Sequence, residues 1–149
     1  PFGCRVTVLR RRDHSVDLLD EVLPHADVVV LALALTPDTE GLIDARRLGL
    51  MRPDAWLVNV ARGGHVVTDD LVAALAAGTI GGAALDVTDP EPLPDGHPLW
   101  SEPRCLITPH VANTSAMLRP RLAERITENV RRRASGAPLL GVVDVDAAY

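Results

Sequence analysis

Short apolar runs alternate along this chain with stretches whose apolar positions recur at helical spacing. The runs fall at residues 4–9, 28–33, 56–60, 82–87 and 106–108. Each is rich in Val, Leu, Ile or Ala, so each predicts a strand. The run Val28-Val29-Val30-Leu31-Ala32-Leu33 has no polar alternation, as expected of a parallel strand covered on both faces. Between the runs, polar residues 13–15 can cap a short helix through Leu18, Leu19 and Val22, which Pro24 stops. Asp44 can cap a helix over residues 45–51. Thr68-Asp69-Asp70 opens a helix with acids in its first turn, where the dipole favours them, and Gly78 closes it after Ala77. Leu118, Leu122, Ile126 and Val130 recur every four residues and predict an amphipathic helix, with Pro120 kinking it or marking its first turn. Gly136-Ala137-Pro138 ends that helix, and the apolar tail 139–143 must dock somewhere. Strands alternating with helices predict an α/β domain with a parallel sheet.

Composition narrows this picture without changing it. A length of 149 residues suits one domain with a real core, and 47% hydrophobic with 23% charged residues is ordinary for a globular chain. The net charge of −5 argues against a chain built to bind nucleic acid or an anionic membrane. Arg10-Arg11-Arg12 and Arg131-Arg132-Arg133 are short, and the second lies at a helix C-terminus, where cations suit the dipole. No apolar run approaches the roughly 20 residues that span a bilayer. Cys4 and Cys105 each sit in an apolar run, so buried, reduced thiols in a cytoplasmic protein are expected rather than a disulfide scaffold. No metal-ligand spacing is evident.

The candidate chemistry lies at the ends of strands. Asn59-Val60-Ala61-Arg62-Gly63-Gly64 carries an apolar run into a charge beside two glycines. Leu85-Asp86-Val87 leads to Glu91, and Leu106-Ile107-Thr108-Pro109 leads to His110. Open parallel sheets bind ligands beyond the carboxyl ends of their strands. A cation, a carboxylate and an imidazole delivered there form a plausible catalytic set: Arg grips a carboxylate bidentately, and His passes protons near neutrality. Singly, each residue also has a structural reading. Arg62 suits a solvated turn, Glu91 a surface charge, His110 a hydrogen-bonded structural histidine, and Asp86 a backbone cap.

Four ordered blocks then carry a resemblance: Leu35-Thr36-Pro37-Asp38-Thr39-Glu40-Gly41-Leu42-Ile43, Val58-Asn59-Val60-Ala61-Arg62-Gly63-Gly64, Ala84-Leu85-Asp86-Val87 through Glu91-Pro92-Leu93-Pro94, and Thr108-Pro109-His110-Val111-Ala112. Together they resemble the C-terminal part of the D-isomer-specific 2-hydroxyacid dehydrogenases, among them the glyoxylate/hydroxypyruvate reductases. The resemblance implies a Rossmann-type doubly wound parallel sheet. It implies that residues 1–112 are a dinucleotide-binding domain entered at its second strand, and that residues 113–149 form a helix and tail returning to a substrate domain. It implies that Arg62 binds the substrate carboxylate and keto oxygen, that His110 exchanges the proton, and that Glu91 holds His110. Thr36, Thr39, Val60, Ala61 and Asp86 match cofactor-lining positions. A formate dehydrogenase branch has glutamine at the position of Glu91, so the glutamate here argues for hydroxyacid chemistry. The substrate implied is a small 2-keto or 2-hydroxy acid, and a homodimer is implied for the longer protein.

Departures from the family pattern matter as much. NAD-using members carry an acid at the end of the second strand; here Arg10 stands there, followed by Arg11, which favours NADP(H) through pairing with a 2′-phosphate. Ala34 replaces a common proline. No G-x-G-x-x-G occurs, so the sheet is expected to lack its first strand and glycine loop. The chain is then a fragment whose strands at Cys4 and Trp56 lose a shared neighbour, and alone it should fold poorly and bind cofactor weakly. Two other readings stay open: a nucleotide-sensing module like the corepressors of this fold, and an inactive truncated relic.

Overall fold

A computed structural model of the chain describes residues 3–10 and 16–143. It divides into two compact units, residues 1–107 and 108–149.

The first unit is built on a four-stranded parallel sheet: β1 (Val28–Leu31), β2 (Trp56–Asn59), β3 (Gly82–Leu85) and β4 (Cys105–Ile107), in that spatial order. Val30 aligns with Val58, Val58 with Ala84, and Ala84 with Leu106. Helix α1 (Val16–Val22) precedes β1, while α2 (Ala45–Leu48) lies in the connection from β1 to β2 and α3 (Thr68–Ala77) in that from β2 to β3. Parallel neighbours require such crossovers, because a tight hairpin can join only antiparallel strands.

Sequence chemistry accounts for the element ends. The Asp44 side chain accepts from the Arg47 N–H at 2.8 Å and caps α2. The Asp70 carboxylate, in the first turn of α3, accepts from the Ala45 N–H at 2.8 Å, so one helix start supports another. Helix α3 stops at Gly78, which turns left-handed at φ 70°, a conformation that costs glycine little. The Arg104 guanidinium donates to the Leu75 carbonyl and places a cation at the C-terminus of α3, where the dipole welcomes it. Leu31, Ile43, Leu48, Leu57, Leu71, Leu75 and Leu85 form the centre of the core.

Several expectations are corrected. Residues 4–10 form no strand, and Val6 and Val8 lie exposed at 76% and 62%. A strand exists by virtue of its place in a sheet, and among the described residues the four-stranded sheet does not include this segment. The strand at Trp56 has lost no neighbour. It sits inside the sheet, bonded to β1 on one side and β3 on the other. The open edge belongs instead to β1, because the run at Val28 takes the place beside β2. Cys4 is exposed rather than buried, and Cys105 is half-buried. Burial pushes the Cys105 thiol up to about 11, with the Glu102 carboxylate adding to the shift.

The second unit contains α4 (Ser115–Ser135), capped by the Thr114 side chain at the Met117 N–H and closed by Gly136 at φ 74°. Pro120 lies inside this helix, after its first turn. The Asn129 side chain receives the Leu140 N–H at 2.8 Å and donates to the Leu140 carbonyl at 3.0 Å, so residue 140 docks on α4.

Candidate active site

Arg62 leaves the end of β2 on a turn shaped by Asn59. That asparagine is 1% exposed. Its Oδ1 accepts from the Ala61 N–H at 3.1 Å and its Nδ2 donates to the Arg62 carbonyl at 2.9 Å. One buried side chain thus satisfies a donor and an acceptor that the bending backbone would leave unpaired. The Arg62 guanidinium is exposed and donates to the Ala61 carbonyl at 2.6 Å. Val60, 54% exposed, and buried Ala61 flank the same turn.

Gly63 follows because nothing larger fits. A Cβ there would stand 2.0 Å from the Thr88 carbonyl oxygen and 2.6 Å from the Asp89 nitrogen. This close approach brings the Arg62 turn against the loop that carries Glu91. That loop has cis peptide bonds before Pro90 and Pro92, and Glu91 lies exposed on it. Thr68 fastens the loop from below, donating to the Asp89 carbonyl at 2.6 Å. Asp86 is half-buried just beyond β3, and its N–H extends the ladder to the Asn59 carbonyl at 2.9 Å.

Thr36 and Thr39 form a buried turn after β1. The Thr39 hydroxyl accepts from the Thr36 N–H at 2.8 Å and donates to the Ala34 carbonyl at 2.9 Å. These hydroxyls close the turn on itself. Backbone bonds from Gly41 N–H to Gly64 and from Ile43 N–H to His65, both 2.8 Å, zip the turn to the segment after Arg62.

The structure therefore brings together the loops of Thr36, Thr39, Val60, Ala61, Arg62, Asp86 and Glu91 at the carboxyl ends of β1–β3. His110 belongs to the second unit, exposed and left-handed at φ 53°; among the described residues it is the single non-glycine with positive φ. Arg10 is exposed in the segment after Gly3, and Arg11 lies outside the described residues. Two contributors escaped the sequence reading, Asn59 and His65. Both are buried, and both act on backbone groups. The His65 ring is 0% exposed, with Nδ1 2.9 Å from the Thr39 carbonyl oxygen and Nε2 3.2 Å from that of Leu33. A lone polar residue between Gly64 and Val66-Val67 was the available signal. Among the described residues no group of three or more His, Cys, Asp or Glu could hold a metal ion.

Residues 1–112 match the family model described as "D-isomer specific 2-hydroxyacid dehydrogenase, NAD binding domain". The chain belongs to this family. A glyoxylate/hydroxypyruvate reductase A of Photorhabdus laumondii is 41% identical over 137 residues, which are 91% of this chain and 43% of that protein. The crystal structure of a D-isomer specific 2-hydroxyacid dehydrogenase from Xanthobacter autotrophicus Py2, in complex with NADPH and MES, superposes with a TM-score of 0.81 at 43% identity. It covers 89% of this chain and 54% of that one. An NAD-complexed relative from Lactobacillus delbrueckii superposes at 0.74 with 31% identity, over 84% and 42% of the two chains. The chain thus spans about half the length, or less, of the relatives it matches.

Proposed function

We propose that this chain supplies the cofactor side of an oxidoreductase that moves hydride between NAD(P)H and a small 2-keto or 2-hydroxy acid of the glyoxylate or hydroxypyruvate kind. The observation that carries the reading is the Arg62 turn: an exposed guanidinium at a strand's carboxyl end, its backbone fixed by Asn59 and pressed by Gly63 onto the Glu91 loop. The residues suit a nicotinamide cofactor, because an exposed apolar Val60 and a half-buried Asp86 flank that turn beside the closed Thr36–Thr39 turn.

When bound, the cofactor supplies or takes up the hydride. Arg62 grips the substrate carboxylate with its planar fork and polarises the keto oxygen. His110 gives a proton to that oxygen during reduction and receives it back during oxidation, so the carbonyl becomes a hydroxyl without free charge on oxygen. The pairing of Glu91 with His110 rests on the family resemblance of their motifs. The left-handed backbone of His110 costs on the order of 1–3 kcal/mol for a non-glycine, a strain that often marks functional sites.

NADP(H) is favoured over NAD(H), with Arg10 and Arg11 pairing the 2′-phosphate. The substrate domain comes from polypeptide outside residues 1–149, and the whole protein is read as a cytoplasmic homodimer. No helix among the described residues is long and apolar enough to cross a membrane.

The test is oxidation of NADPH and of NADH with glyoxylate by the natural-length protein. His110→Ala is expected to lower kcat by roughly 10²–10⁴. Arg10→Asp is expected to lower kcat/KM for NADPH and spare that for NADH. Full turnover by His110→Ala would remove the proposed proton donor.

A further inference from the structure

We propose that His65 is a positioning residue that clamps the Thr36–Thr39 turn to the Arg62 turn and so sets cofactor affinity. This rests on the cofactor reading above and adds to it a residue that contacts neither cofactor nor substrate. The ring is fully buried and lies between two backbone carbonyls, those of Thr39 at 2.9 Å and Leu33 at 3.2 Å. Both belong to the segment leaving β1, 26 and 32 residues earlier in the chain. His65 itself follows Gly63-Gly64 in the short 3₁₀ turn after Arg62.

Carbonyl oxygens only accept, so His65 serves here as a donor. A neutral ring donates from one nitrogen and a charged ring from both; in either state the Leu33–Thr39 segment is tied through the side chain. The backbone bonds of Gly41 and Ile43 hold only the far end of that segment. The ring reaches its near end, where Leu33 leaves the strand. The Thr39 carbonyl also accepts from the Leu42 N–H, at a longer 3.4 Å. Without a donor at residue 65 it would keep only that long bond, the Leu33 carbonyl would lose its contact with the ring, and the hold on the segment would loosen.

Two substitutions of similar bulk separate the donor from the packing. His65→Met keeps the volume and donates nothing; His65→Gln keeps an N–H donor. In the natural-length protein, the NADPH dissociation constant is expected to rise about tenfold or more in His65→Met, with kcat at saturating cofactor within about threefold of the unaltered enzyme. His65→Gln is expected to restore most of the affinity. Amide exchange at Gly41 and Ile43 should quicken in His65→Met alone. In the unaltered protein a slowly exchanging His65 ring N–H should be visible by NMR, and its absence would overturn the clamp whatever the variants do. Equal NADPH affinity in the Met and Gln variants would reduce His65 to a packing residue. Failure of the unaltered protein to bind any nicotinamide nucleotide would instead overturn the functional reading. The clamp would then stand or fall on the exchange rates.

Discussion

On one face of the sheet Leu31, Leu57 and Leu85 are exposed by 4%, 0% and 4%; on the other Val28, Val30, Trp56 and Leu106 are exposed by 54%, 57%, 40% and 60%. The side chains are equally apolar, so composition does not separate the two faces. Cover does: the first face packs in the core with residues of α2 and α3, while Val28, Val30, Trp56 and Leu106 on the second are left exposed among the described residues. An apolar parallel sheet gains stability only when both faces leave water, so the second face and the open edge of β1 mark where further polypeptide belongs.

The largest effect should come from the covered face. Leu57→Ala is expected to destabilise the natural-length protein by about 2–5 kcal/mol in denaturant titration, through lost burial and a cavity. Gly63→Ala should follow at about 1–3 kcal/mol, because its Cβ meets the Thr88 backbone and no flexible side chain can yield. It should also lower activity, since relief would move the Arg62 turn away from the Glu91 loop. Val30→Thr sharpens the comparison between faces. Despite its exposure here, a cost of about 1 kcal/mol is expected in the natural-length protein, where the face is covered. A cost within about 0.5 kcal/mol would mean that the face stays wet.

The smallest effect concerns acid. Hydrogen bonds from Arg46 and then Arg47 lower Asp20 from 3.8 to about 2 and tie α1 to α2. A depressed carboxylate stabilises the fold above its unfolded pKa, so this contribution is whole above about pH 4 and fades as pH falls toward 2. Asp20→Asn should therefore flatten stability against pH in that window: its small cost is present near neutrality and vanishes as pH falls toward 2.

Much of this was legible in the chain. Thr68-Asp69-Asp70 and Gly78 marked both ends of α3, because caps and breakers act locally. The strand-end placement of Arg62, Asp86 and Glu91 followed from runs that end in charges. Strand order was not legible. Which strand adjoins Trp56 depends on pairing between segments 28 residues apart, and the sequence reading had expected the strands at Cys4 and Trp56 to share a missing neighbour. The Cys4 run looked like a strand by its side chains, yet a strand also needs a partner backbone. Asn59 and His65 stayed hidden because they serve carbonyls and amides, which leave no side-chain pattern to read.

The central claim is that these residues hold cofactor contacts on a sheet completed from elsewhere, and thermal unfolding of the 149-residue chain with and without NADPH tests it most directly. The account predicts a broad transition that NADPH does not move, because β1 keeps an open edge and one apolar face stays in water. A sharp, cooperative transition raised by NADPH would contradict it.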